Sequence, residues 1–309
     1  MKIFVAGASG FIGERVLDDL LRTGHDVTAH VHSDASLRAL QREHPDLHMV
    51  KVDLSKEKEV HGIIAHGTEA VIYLPGVLRE SKGLTFEGLH VDGVRNLLAE
   101  AKMAGVRRWI QMSALGVEPH SNIRYYDTKW RAEVMVRASG LAWTILRPSL
   151  IFDDRPRRQH NFVSEVAKAI RMAPFVPILG RGDFLMQPVS VDDVSQTIIQ
   201  SLTKPETIDK TFELGGPEKL TYKEIVLRIA CAMGSKKRAA HIPMWLILGA
   251  AQLLQRFSWF PITVDELTML TAGNYIRDAG CERDWRATFE LPMKRFDEAA
   301  ISKLLTAPH

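Results

Sequence analysis

Three glycines near the start of the chain have the spacing of a phosphate-binding turn. Gly7-Ala8-Ser9-Gly10-Phe11-Ile12-Gly13 follows the apolar run Ile3 to Ala6 and opens an amphipathic stretch. The first glycine permits a tight turn, the second lets backbone approach a pyrophosphate, and the third lets a helix pack against the strand. The helix start then offers unpaired N–H groups and a partial positive charge to phosphate oxygens. Ser9, Phe11 and Ile12 belong to the same turn and are expected at the cofactor. The alternative is a glycine-rich turn that only connects.

The end of the second expected strand bears on which nucleotide binds. An NAD-binding sheet of this kind places Asp or Glu there, where it holds the ribose 2′-OH and repels a 2′-phosphate. Here the strand runs Val27 to Ser33 with no acid at its end. His32 and Ser33 can donate to a phosphate and Arg38 is close in sequence, so NADP(H) is favoured over NAD(H). Asp34 and Glu14 weigh against it. His30 and His32 lack a third ligand, and no metal is expected. Tyr125 and Lys129, four residues apart, project from one face of a helix. Read alone, they are either chemistry or two surface residues.

These residues need an alternation of strands and helices to hold them. Strands are expected at Lys2 to Ala6, Asp26 to Val31, Leu47 to Val52, Ala70 to Leu74, Trp109 to Ser113 and Trp143 to Leu146. Helices are expected at Phe11 to Arg22, Ala35 to Glu43, Lys56 to Ile64, Phe86 to Ala104 and Arg124 to Ala138. The alternation implies a doubly wound, Rossmann-type parallel sheet with its crevice at the carboxyl ends of the strands. Residues 1–148 are read as this dinucleotide-binding domain, with contributions from later segments. Residues 149–309 are read as a smaller, mixed, mainly helical lobe for substrate or interaction. It carries helices from Asn161, Asp192 and Thr221 and short strands at Pro188 to Val191 and Thr211 to Leu214.

A net charge of +3 over 309 residues gives no argument for nucleic acid. Two distant cysteines, Cys231 and Cys281, fit a reducing, cytoplasmic setting. The N-terminus reads as a strand rather than a leader. Met244 to Leu254 is too short to span a bilayer. A buried helix is the expectation there. The basic Lys236-Lys237-Arg238 before it and Phe257, Trp259 and Phe260 after it allow at most peripheral membrane or partner contact.

The glycine spacing resembles that of the short-chain dehydrogenase/reductase family, in its extended and atypical branches. Further segments narrow the resemblance. They are Ser113-Ala114-Leu115-Gly116, Arg124-Tyr125, Val136-Arg137-Ala138-Ser139-Gly140-Leu141, Trp143 through Ser149 and Glu213-Leu214-Gly215-Gly216-Pro217. Together they resemble the atypical proteins related to the NADPH-binding accessory subunit of respiratory complex I. The resemblance implies Tyr125 as general acid/base. It makes Lys129 the residue that holds the nicotinamide ribose and lowers the tyrosine pKa, and Ser113 a partner of the substrate oxygen. It also implies cofactor contacts at Asp53, Leu54, Pro75, Gly76 and Pro148, with a helix cap as the alternative role for Asp53. The chain departs from the family at His90, where an Asn is usual, and at Ala114-Leu115, where a hydroxyl is common. The catalytic set is therefore incomplete. Two functions follow: a reductase, dehydrogenase or epimerase acting on a small carbonyl or hydroxyl substrate, or a non-catalytic NADPH-binding structural or redox-sensing protein with a respiratory-chain partner.

Overall fold

The computed structural model describes residues 1–81, 83–153, 161–255 and 262–305. Phe257, Trp259 and Phe260 lie outside them. Chain contacts divide the protein into two units, 1–148 with 194–213 and 280–291, and 149–193 with 214–279 and 292–309.

The first unit is the expected alternation. Its elements are β1 (Lys2–Ala6), α1 (Phe11–Arg22), β2 (Asp26–Val31), α2 (Asp34–Glu43), β3 (His48–Lys51), α3 (Glu57–Val60), β4 (Ala70–Tyr73), α4 (Gly93–Met103), β5 (Arg108–Met112), α5 (Arg124–Arg137) and β6 (Ala142–Pro148). The sheet runs Lys210–Leu214, β6, β5, β4, β1, β2, β3. Strands β1 to β6 pair in parallel. Strands β4 and β5 are buried along their whole length, as central strands covered on both faces must be. Strand order reverses between β1 and β4, and a doubly wound sheet opens its ligand crevice at that point. The glycine turn leaves β1 there, and Pro75-Gly76 follows β4.

Arg108 ties the later segment to this sheet. Its guanidinium donates to the carbonyls of Ala142 at 2.7 Å and Ser201 at 2.8 Å and to the Thr207 hydroxyl at 2.9 Å. Trp285, fully buried, donates from Nε1 to the Thr197 hydroxyl at 3.2 Å.

Two helices differ from expectation. The third is only Glu57–Val60, with Gly62 just beyond it at a positive φ of 77°. The long helix expected from Phe86 opens with a π-helical stretch, Glu87–Asp92, before α4. The Tyr73 hydroxyl donates to the Leu89 carbonyl inside that stretch. This occupies an acceptor that a regular helix would use, and wider turns of this kind recur at functional sites.

In the second unit, helices Phe162–Met172 and Tyr222–Ala232 pack around Phe152, Ile170, Ile178, Ile225, Ile229 and Phe296. Asn161 caps the first helix. Thr221 and Glu224 cap the second reciprocally. Val189–Ser190 pairs in parallel with Ile151–Phe152. Val176–Leu179 and Ala239–Ile242 form a parallel pair that periodicity does not reveal.

The helix Met244–Leu254 corrects an expectation. Only Ala251 is buried, whereas Trp245 is 71% exposed and Leu253 73%. A run without charges reads as core, but here Ala251 makes the buried contact, Met244, Ile247 and Leu254 are half-buried, and Trp245, Leu246, Leu248 and Leu253 face outward. The basic segment before it is also partly committed. Lys237 donates to the carbonyls of Ile170 at 2.7 Å and Ala173 at 2.6 Å, closing the end of helix Phe162–Met172. Among the described residues, no helix is long and apolar enough to cross a membrane.

These exposures set two very different stability effects. Trp285→Ala should destabilise the protein by about 3–5 kcal/mol, and Trp245→Ala or Leu253→Ala by roughly 0.5 kcal/mol or less. Urea unfolding of the three variants measures this. A large loss at Trp245 would contradict its exposure.

Candidate nucleotide site

Gly7 has φ +76°, a left-handed conformation that favours glycine. A Cβ at Gly13 would overlap the Gly7 carbonyl oxygen and lie 2.7 Å from that of Ala8. Gly13 therefore lets α1 press against the turn. Gly10 is different. It is exposed, and a Cβ there would meet only the Gly7 oxygen, at 3.2 Å. It stands at the cap position of α1 and supplies no side-chain cap. Ser9, Phe11 and Ile12 are half-buried around it.

His30, near the end of β2, braces this turn. Its Nδ1 accepts from the Gly7 N–H at 3.2 Å, so Nε2 carries the proton and donates to the Val52 carbonyl at 3.0 Å. Its backbone carbonyl accepts from Ala8 N–H at 3.0 Å. Burial pushes its pKa down to about 4, so it is neutral at physiological pH. Nothing in the sequence alone distinguishes this bracing role from that of an ordinary core histidine.

Beyond β2, His32 and Arg38 are exposed. The Ser33 side chain caps α2, accepting from Ser36 N–H at 3.1 Å and donating to the Ser36 hydroxyl at 3.0 Å. Its proton is thus already engaged. Asp34 is held by Lys51 at 2.7 Å. Asp53 accepts from the Ser55 N–H at 3.0 Å and hydroxyl at 2.7 Å, shaping the loop before α3, whose cap position is Lys56. Leu54 is buried, and its carbonyl accepts from Asn96 at 3.0 Å.

The other wall is built by β4, β5 and α5. Pro75 packs on Gly7, with its Cγ 3.2 Å from where a Gly7 Cβ would stand. Lys129, only 2% exposed, donates to the carbonyls of Met112 at 3.1 Å and Pro75 at 3.4 Å. A Cβ on Gly76 would lie 3.2 Å from its Nζ. Burial pushes the ammonium's pKa down to about 8, opposed by the Glu133 carboxylate.

Tyr125 is buried between Phe86, His90 and Tyr126, with ring centroids 5.4–5.7 Å away. Burial raises its pKa, and Tyr126 adds to the rise. Ser113 lies at the end of β5, and its hydroxyl donates to Glu133 at 2.6 Å. Glu133 is fully buried and also binds Arg137 at 2.6 Å and Arg147 at 2.7 Å. Pro148 is buried, and its carbonyl accepts from Leu115 N–H at 2.9 Å.

Glycine turn, Pro75, Gly76 and Lys129 are thus linked by direct packing or hydrogen bonds, whereas Ser113 is bonded to Glu133. The sequence reading missed the roles of Glu133 and His30. The i, i+4 series Lys129, Glu133, Arg137 was the available signal for the first.

Residues 7–205, more than half the chain, match the family described as NAD(P)H-binding. The chain belongs to that family. Its relatives bear out the atypical short-chain resemblance. It is 27% identical over 266 residues to the NADH-ubiquinone oxidoreductase 40 kDa subunit of Neurospora crassa, covering 85% of this chain and 68% of that one. It is 30% identical over 227 residues to NADH dehydrogenase (ubiquinone) 1 alpha subcomplex subunit 9 of Arabidopsis thaliana, covering 72% of this chain. That match spans 55% of the plant subunit, little more than half its length. In fold, it is similar to a UDP-glucose 4-epimerase from Thermotoga maritima, with TM-score 0.72 at 18% identity, covering 99% of this chain and 97% of that one. The NAD(P)(H)-binding, Rossmann-type reading therefore stands.

The glycines give a paired test of the turn. Gly13→Ala should fail to fold or lose several kcal/mol, on the order of other core overpacking changes. Gly10→Val should fold with near-normal stability yet lose dinucleotide binding, because its side chain enters the pyrophosphate space. Calorimetry showing unchanged dinucleotide affinity in Gly10→Val contradicts the site.

Lys129 gives a pH test. Between about pH 8 and 10.5 the unfolded chain binds the proton that the folded chain releases, so unfolding free energy rises with pH there. Relative to Lys129→Met, the wild type should gain stability on the order of 2 kcal/mol from pH 8 to 10. Parallel stability curves for the two proteins would show that the ammonium is not buried.

Proposed function

We propose that the protein holds NADP(H) in preference to NAD(H) and retains it without efficient dehydrogenase turnover. The cofactor preference is supported by the absence of an uncommitted carboxylate beyond β2. Asp34, the nearest acid, is engaged by Lys51 at 2.7 Å, while His32 and Arg38 stay exposed. A 2′-phosphate there meets the Arg38 guanidinium and the His32 ring rather than a bare anion. The seat then runs from the glycine turn past Pro75 and Gly76 to Lys129.

The single observation that carries slow turnover is the 2.6 Å hydrogen bond from Ser113 to Glu133. A hydroxyl that donates to a buried carboxylate has no proton left for a substrate oxygen. Tyr125 points the same way, since burial raises its pKa away from the range of an efficient acid/base near pH 7. A respiratory-chain assembly is the partner that the relatives' names support.

A reductase or epimerase acting on a small carbonyl or hydroxyl compound is the second reading. Tyr125 and Lys129 favour it, because both are buried on α5. Pre-reduced, NADPH-loaded protein offered a panel of carbonyl compounds separates the two. Cofactor fluorescence should persist. Steady oxidation that Tyr125→Phe removes would establish the enzyme instead.

The cofactor preference has its own test. NADPH should bind more tightly than NADH, and Lys51→Ala should narrow the gap by roughly 3- to 10-fold by releasing Asp34. Equal or tighter NADH binding by the wild type overturns the preference.

A further inference from the structure

His90 is 1% exposed, and its Nε2 is buried without a hydrogen-bond partner. A buried polar atom left unpaired is costly unless something fills its place. The ring cannot readily turn away. It stacks on Phe86 at 5.7 Å and 11°, and meets Tyr125 edge-on at 5.4 Å and 81°. Its Nδ1 lies 2.9 Å from the Thr128 hydroxyl. That hydroxyl has one proton, and the carbonyls of Arg124 at 2.9 Å and Tyr125 at 3.1 Å are both placed to accept it. Nδ1 is therefore the donor to Thr128, and Nε2 presents a lone pair. Burial, and after it the neighbouring Lys129 charge, keep the imidazole neutral.

Lys129 supplies the complement. Its ammonium has three N–H donors, and the Met112 and Pro75 carbonyls account for two. Both groups converge beside Gly76. The two nitrogens flank the side of Gly76 that carries no side chain, where a Cβ would stand 3.2 Å from Nζ and 3.8 Å from Nε2. A bare lone pair beside a cationic donor selects its ligand. A carbonyl or carboxylate has no proton for Nε2, and an ammonium has no lone pair for Nζ. A hydroxyl oxygen has both.

We propose that His90 and Lys129 form a two-point site for one hydroxyl group, which donates to Nε2 and accepts from Nζ. This deepens the NADP(H) reading and rests on it for one of two occupants. A water fills the site in the empty protein, or a ribose hydroxyl of the nicotinamide half fills it in the complex. His90 is then a cofactor-gripping residue that Gly76 leaves room to reach.

Two substitutions divide the ring's functions. His90→Asn retains a donor near the Nδ1 position and removes Nε2, whereas His90→Gln retains a polar atom near Nε2 and removes the tether to Thr128. NADPH affinity should fall roughly tenfold in His90→Asn and stay within about twofold in His90→Gln. Adenosine 2′,5′-bisphosphate, which lacks the nicotinamide ribose, should bind both variants like the wild type if a ribose hydroxyl is the occupant. Its weakening together with NADPH would instead assign a water that shapes the whole seat. ¹⁵N-histidine NMR of the intact wild type reads the site without cofactor. Nε2 should appear unprotonated and hydrogen-bonded. A protonated Nε2 overturns the proposal, as does full NADPH affinity in His90→Asn. If the wild type binds no dinucleotide, the functional reading fails, while the NMR signal still decides whether His90 and Lys129 hold a hydroxyl.

Discussion

The candidate site is organised around one buried charge. Lys129 comes from α5, yet its ammonium ends among the carbonyls at the carboxyl ends of β4 and β5. An unpaired charge so placed would cost several kcal/mol. The two carbonyls reduce that penalty by hydrogen bonding, and Glu133, one turn further along α5, supplies an opposite charge. Glu133 in turn is gripped by Arg137 and Arg147. Three cations around one carboxylate leave the region positive, which suits a phosphate-bearing ligand. The lysine therefore joins a helix to two strands and gives the crevice its sign.

The same arrangement restricts chemistry. Glu133 needs donors on every oxygen because it is fully buried, and Ser113 is one of them. The hydroxyl that could polarise a substrate is thereby drawn into the support of the lysine. Tyr125 is enclosed by three aromatic rings, which hold it in place and raise the free energy of its phenolate. In the function proposed above, the contacts that would steady a bound dinucleotide are the ones that engage Ser113 and enclose Tyr125.

How much of this was legible depends on how local its cause is. The glycine turn, α1 and β2 follow from neighbours in sequence, and their bounds match expectation residue for residue. Tyr125 and Lys129 were legible for the same reason, being one helical turn apart. The π-helical stretch was not. It is associated with a hydroxyl on Tyr73 reaching Leu89, which only the folded sheet brings within range. The pairing of Val176–Leu179 with Ala239–Ile242 joins segments about sixty residues apart. The helix Met244–Leu254 failed as a core element because composition reports that a segment is apolar, not which face is covered. His30 and Ser113 likewise took their roles from partners on other elements.

Two histidines show how the fold uses neutrality at the site. His30 accepts at Nδ1 and donates at Nε2, while the site proposed for His90 needs the opposite assignment, with Nδ1 donating toward Thr128. Each role needs an uncharged ring, since an imidazolium has no lone pair to offer. Burial enforces this in both, and lowers the His30 pKa to about 4. Between about pH 6.5 and pH 4 the unfolded chain takes up a proton that folded His30 refuses, so stability falls as pH falls through that window. Below it, a protonated His30 can no longer accept from Gly7. The glycine turn then loses one of its two bonds to His30 and keeps the one from Ala8 N–H to the His30 carbonyl. The glycine turn is therefore coupled to the protonation of a buried ring on β2.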